Sequence, residues 1–207
     1  MAAAALSDAP DVKRVAEGVD RHYNNLQTLE TSFVEIYRGA GAERSESGTL
    51  WLKKPGKMRW EYREPREKLF ISDGKSAWFY VPGDQQARKA EVKKLDDLRS
   101  PLRYLLGKTK LAKEFEALSF APDVVPSEPG NVVLRGVPKG MEDRISQVLL
   151  EITDDRKIAR IVLHEVDGAV TEFRFSGQKE NVAVADGHFK FTPPPGVETV
   201  EMRELAQ

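Results

Sequence analysis

The chain has 207 residues, 31% of them charged, with a formal net charge of -1 and no cysteine. The near balance of acid and base argues against a nucleic-acid binder or a polybasic membrane-surface protein. The missing thiols exclude disulfides, cysteine metal sites, thiol nucleophiles and, within this sequence, a lipidated N-terminal cysteine. Length and a 40% hydrophobic content fit a single domain spanning 1–207 with a real core, and no apolar run approaches the roughly 18 residues of a membrane span.

Residues 1–8 are expected to lie outside the fold. Met1 to Leu6 is too short for a complete signal peptide, so the sequence reads either as cytoplasmic or as a mature form behind a new methionine. Ser7 and Asp8 are N-cap candidates, with Pro10 admissible in a first helical turn. Val12, Val15, Ala16, Val19, Tyr23 and Leu26 then recur at three- and four-residue spacing, the apolar stripe of a helix that must lie against a sheet.

From Leu29 the period changes to two. Phe33 shares a face with Leu29 and Tyr37, and Gly39 and Gly41 mark a turn. The stretch from Gly48 to Pro82 organises the chain as consecutive antiparallel strands. Leu50, Leu52 and Lys54 share one face of the first, and Met58, Trp60 and Tyr62 share one face of the second. Lys54-Pro55-Gly56-Lys57 supplies the reversal, and Asp73-Gly74 a second one before Ser76 to Val81. This puts large apolar groups on one face with a cation among them. Such a cation needs acceptors or must snorkel to water.

Between 83 and 113, Leu95, Leu98, Leu102, Leu105 and Leu106 fall at helical spacing, interrupted by Ser100-Pro101, which predicts two short helical pieces over the sheet. Pro122, Pro126, Pro129 and Gly130 form a loop. Strands are expected over 131–137, 147–153, 157–166, 169–176 and 188–192, with turns at 154–157 and Asp167-Gly168. Pro193 to Gly196 should end the sheet. The total is about eleven strands with helices on one side, an α+β arrangement.

Catalytic patterns are absent from the sequence. His22, His164 and His188 stand in no HExxH or HxH spacing, no G-x-S-x-G elbow occurs, and Gly39 and Gly41 precede no helix that could cradle a phosphate. No cofactor or metal is expected, and the chain reads as a non-enzyme.

Gly48-Thr-Leu-Trp-Leu-Lys-Lys-Pro-Gly-Lys-Met-Arg-Trp60, Ser72-Asp-Gly-Lys-Ser-Ala-Trp-Phe-Tyr80 and Phe189-Lys-Phe-Thr-Pro-Pro-Pro-Gly-Val197, in that order, resemble the periplasmic outer-membrane lipoprotein carrier proteins, the LolA-like family. The similarity runs from about residue 12 to about 200. It implies a strongly curved antiparallel sheet, an incomplete barrel, with short lid helices (95–107) on its concave side. It also implies a periplasmic chaperone that takes lipoprotein acyl chains from an inner-membrane ABC-type release complex and passes them to an outer-membrane receptor, working as a monomer without nucleic acid. By position, Phe33, Leu50, Leu52, Met58, Trp60 and Ile161 would line the acyl-chain cavity. Leu98, Leu102, Leu105 and Leu106 would belong to the lid, and Lys54 would latch sheet to lid where arginine is common. Two alternatives share the fold: the outer-membrane receptor itself, and a periplasmic sensor of lipid or lipoprotein.

Overall fold

The structure, a computed structural model, describes residues 11–92, 104–105 and 110–201. The N-terminal helix α1 (Val12–Asn25) is capped by Asp11, whose carboxylate accepts from the Lys13 amide at 3.0 Å. This satisfies one of the first-turn N–H groups that a helix leaves unpaired. The proposed caps Ser7 and Asp8 lie outside the described residues. Val15, Ala16, Val19 and Tyr23 are buried, as the stripe requires, and Leu26 follows them into the core.

Strands β1 (Thr28–Gly39) and β2 (Ala42–Lys53) form one long hairpin. Its loop, Ala40-Gly41, has positive φ at both residues, the geometry that matches the twist of the flanking strands. The strand after the Gly39–Gly41 turn runs into the stretch that begins at Gly48 as the single strand β2. Then come β3 (Lys57–Glu64), β4 (Lys68–Asp73), β5 (Ser76–Tyr80) and β6 (Gln86–Glu91). The β4–β5 reversal is held by Asp73 Oδ1, which accepts from the Lys75 and Ser76 amides at 2.8 Å each. A single helical turn, α2 (Leu111–Glu114), leads into β7 (Phe115–Phe120), β8 (Val132–Pro138), β9 (Ile145–Ile152), β10 (Ile158–Glu165) and β11 (Val170–Glu180). After a 3-10 turn at Asp186–Phe189 comes β12 (Glu198–Glu201).

All twelve strands belong to one sheet in the order β12-β6-β5-β4-β3-β2-β1-β11-β10-β9-β8-β7, antiparallel except for β12 against β6. The sheet does not close on itself: β7 and β12 are its two edges. Inward-facing residues of both halves, such as Phe70 and Ala90 on one side and Leu134 and Phe115 on the other, join the α1 stripe in one cluster. A flat sheet could not bring them together, so the sheet is bent around the helix, with its apolar side concave.

Three strands went unpredicted, β6, β7 and β12, and one expected strand, 188–192, is not a strand. Phe189 is buried and Phe191 packs its ring 5.5 Å from Trp78 and 5.4 Å from Tyr80 on the outer face. Strands β2 to β5 already have neighbours on both sides, so this segment crosses over them as a strap. Lys53 and Lys57 grip Asp186 at 2.7 Å each, and Arg59 donates to the His188 carbonyl. Pro193 to Gly196 does not end the sheet, because β12 follows and pairs Glu198 with Gln86. The opposite half of the outer face carries a small apolar cluster (Ala121, Val133, Leu149, Val162). Beside it the buried Glu151 accepts from Ser127 and Asn131 and pairs with Arg160, pinning the 121–131 loop.

Candidate functional site

The concave face is built in cross-strand rows, because successive side chains of a strand point to opposite faces. Leu29, Leu52 and Met58 stand opposite one another across β1, β2 and β3, and the next row is Thr31, Leu50, Trp60 and Phe70. Beyond it come Phe33, Gly48 and Tyr62. Gly48 is required here: a Cβ would sit 1.8 Å from the Glu61 carbonyl oxygen. Its partner on β1 is Phe33, whose ring meets Trp60 edge-on at 4.6 Å and Tyr62 at 4.9 Å. From the other half, Ile161 on β10 faces Leu150 and Phe173, and Phe173 lies 6.0 Å from Trp60.

Phe33, Leu50, Leu52, Met58, Trp60 and Ile161 thus share one face and one cluster, none more than 9% exposed. Of the expected lid residues, Leu105 is described: with Tyr104 it is buried in that same cluster. Leu98, Leu102 and Leu106 lie outside the described residues. A crevice of about 10 Å³ remains between Leu26, Leu29, Leu52, Lys54 and Leu105, space for about one water. That space is too small for an acyl chain, so among the described residues a ligand entering between these side chains must displace some of them.

Lys54 stands at the edge of this crevice. Its Nζ donates to the carbonyls of Tyr23 and Asn24 at 2.7 and 2.8 Å, the last turn of α1. These carbonyls have no intrahelical partner, and the end of a helix carries partial negative charge, so an ammonium there serves as a cap from a distant part of the chain. The described partners of the lysine are thus on the N-terminal helix. The same helix is fixed further by Tyr23, whose phenol accepts from the Ile158 amide at 2.8 Å and donates to Gln178; burial drives its pKa up. Asp20 accepts from the Leu111 amide, joining α1 to α2, and burial raises its carboxyl.

Sequence reasoning missed a polar group on the concave face. Glu35, in line with Phe33 along β1, accepts from Tyr62 Oη at 2.8 Å. Across the hairpin Glu46 pairs with Lys68 at 2.6 Å, and Lys68 Nζ lies 4.3 Å above the Tyr62 ring. Burial is the chief cause that raises the Glu35 carboxyl above its ordinary range. The signal was present as parity, since Glu35 stands two residues from Phe33, and Glu46 two from Gly48.

The histidines sit elsewhere. His22 pairs with Glu180 at 3.0 Å, His188 packs against Trp51 on the outer face, and no three metal-ligating side chains converge among the described residues. Among the described residues the arrangement offers burial of apolar surface and a capped helix.

Comparison with known proteins points the same way as this geometry. The sequence model of the family described as outer membrane lipoprotein carrier protein LolA matches residues 24–192. An outer-membrane lipoprotein carrier protein of Nitrosospira multiformis is 32% identical over 181 residues, 85% of this chain and 83% of that protein. One from Bordetella pertussis is 31% identical over 204 residues, 97% and 93% of the two chains. Among solved structures, an uncharacterised conserved protein of Thermus thermophilus superposes with a TM-score of 0.56 at 12% identity, covering 92% of this chain and 98% of that one. The Mycobacterium tuberculosis lipoprotein LppX also gives 0.56 at 12% identity, covering 86% and 99%; both show a shared fold. The matched length and the identity of these relatives establish that the chain belongs to the outer membrane lipoprotein carrier protein family.

Proposed function

We propose that this protein is a periplasmic chaperone that carries lipoproteins by burying their acyl chains against the concave face. It takes them from an inner-membrane release complex and hands them to an outer-membrane receptor. The observation that supports this most is a broad concave face of aromatic and aliphatic side chains packed against α1 and Leu105. A buried methylene contributes roughly 0.8 kcal/mol, so a sixteen-carbon chain represents on the order of 12 kcal/mol. A carrier must replace most of that burial yet still let go. Where the empty protein already buries its own apolar surface, loading exchanges one set of contacts for another, and the net affinity is only the difference.

On this reading Phe33, Leu50, Leu52, Met58, Trp60 and Ile161 receive the chains, and Leu105 yields its place to them. Lys54 holds α1 in the unloaded arrangement. Met58 lets the surface adapt, since an unbranched thioether conforms to irregular shapes.

The three tryptophans provide a test. Trp51 and Trp78 pack on the outer face, against His188 and Phe191, while Trp60 alone faces inward. In a chain carrying Trp51→Phe and Trp78→Phe, a lipopeptide with brominated acyl chains should quench Trp60 fluorescence. Binding without quenching, or no binding at all, would overturn the reading.

A further inference from the structure

The row that holds Leu50, Trp60 and Phe70 does not stop at β4. It continues to Phe79 on β5 and Arg88 on β6. Along it exposure rises from 0% at Leu50 through 2% at Trp60 and 9% at Phe70 to the half-buried Phe79 and the exposed Arg88. Its outer end opens into a groove of about 530 Å³ whose lining includes Phe79, Val81, Gln86 and Arg88, a size in the range of sites that take small molecules.

Three features limit what can occupy it. Phe79 and Val81 form an apolar strip continuous with the buried row, while Asp84, Gln85, Gln86 and Arg88 make the rest of the lining polar. The far side of β6 is already hydrogen-bonded to β12, so an added peptide strand has no free backbone to pair with there. The acid in the groove, Asp84, is engaged by Arg66 at 3.1 Å, whereas the Arg88 guanidinium has no ion-pair partner among the described residues. The groove therefore offers a narrow apolar strip leading inward, flanked by polar groups, with a fork of N–H donors at its rim.

We propose that this groove is the mouth through which a cargo's acyl chain reaches the interior. The chain lies on Phe79 and Val81 and runs inward along Phe70 and Trp60, while Arg88 and Gln86 hold the glyceryl ester carbonyls at the rim. This rests on the carrier reading and deepens it, because it fixes the direction of insertion and gives the lipid's polar junction a place. An ester carbonyl accepts hydrogen bonds and carries no charge, so Arg88 engages it at little desolvation cost and releases it readily.

The test compares the full chain with Arg88→Gln, Arg88→Lys and Phe79→Ser, using a dipalmitoylglyceryl-cysteinyl lipopeptide and its dihexadecyl ether analogue, which lacks the carbonyls. Circular dichroism checks that each variant is folded. Arg88→Gln should weaken the ester lipopeptide about tenfold, the scale of one charge-assisted hydrogen bond. It should leave the ether analogue unchanged, and Arg88→Lys should recover part of the loss. Phe79→Ser should weaken both ligands. If wild type binds but Arg88→Gln and Phe79→Ser bind equally well, the mouth lies elsewhere and the carrier reading stands. If Arg88→Gln weakens ester and ether alike, the carbonyl contact is wrong. If wild type binds neither ligand, the carrier reading falls and this proposal with it.

Discussion

Replacing Lys54 by methionine keeps the length and grease of the side chain and removes only the ammonium. Two hydrogen bonds to the last carbonyls of α1 disappear, at 2.7 and 2.8 Å. The Asn24 carbonyl is near water and rehydrates, while the Tyr23 carbonyl sits over a buried residue. One effective charge-assisted hydrogen bond is then lost, about 1.5 kcal/mol, with roughly 0.5 kcal/mol more from the helix end. For a domain of this size about 2 kcal/mol corresponds to a fall of roughly 4–8 °C in Tm. If the same bonds hold the unloaded arrangement, the loss of stability should reappear as tighter lipopeptide binding, up to about thirtyfold for about 2 kcal/mol. Thermal unfolding followed by circular dichroism and a lipopeptide titration measure the two quantities on one preparation, and Lys54→Arg should restore both. An unchanged Tm would show that the amine is not a cap of consequence. A lowered Tm with unaltered affinity would separate the cap from any part in loading.

Four further outcomes are expected. Gly48→Ala forces a methyl against the Glu61 carbonyl and should cost about 2 kcal/mol or more, visible as a lower urea midpoint; an unmoved midpoint would mean that β2 and β3 part there without cost. Leu105→Glu places a carboxylate at a site 2% exposed and should abolish lipopeptide binding while the far-ultraviolet spectrum of the sheet persists; normal uptake would contradict the role given to Leu105. The Asp186 carboxyl, held by Lys53 and Lys57, titrates at about 2 instead of 3.8. The strap's tie is therefore complete above about pH 4 and is lost as pH falls through about 2, which carboxyl NMR of Asp186 should show. Glu35 has the opposite sign, its carboxyl raised above the ordinary 4.5, so the folded state favours the protonated acid and loses stability as pH rises from there. Glu35→Gln should flatten that part of the stability–pH curve; a curve identical to wild type would remove Glu35 as its source.

The concave face could be read from the sequence because alternation is a consequence of pleating. A strand with one side buried must repeat every two residues, and Leu50, Leu52, Met58 and Trp60 do so. The strands that escaped prediction lack that signature. In β6, next to the sheet's edge, only Ala87 and Ala90 are buried, at a spacing of three, and its other residues are exposed. In β7 the register shifts and Ala117 has positive φ, which breaks the alternation. The aromatic pair Phe189 and Phe191 alternates as a strand would, but the strands beneath have no vacant edge, so packing prevailed over pairing. The partner of Lys54 could not be foreseen for a different reason. The sequence shows that a cation among apolar neighbours needs acceptors, while the choice of helix carbonyls 30 and 31 residues away is a tertiary fact. Glu35 was hidden because an acid in a strand reads as solvent-facing unless its parity is compared with that of the aromatic two residues before it.

That β7 and β12 end the sheet unpaired with each other has a mechanical consequence. A closed barrel fixes its girth through strand number and stagger, and widening it means breaking a ladder. A sheet left unjoined can tighten or relax its bend by small dihedral changes distributed over all its strands, with every rung intact. The space around α1 can therefore be adjusted to a bulky or a slender load without unfolding any part of the wall.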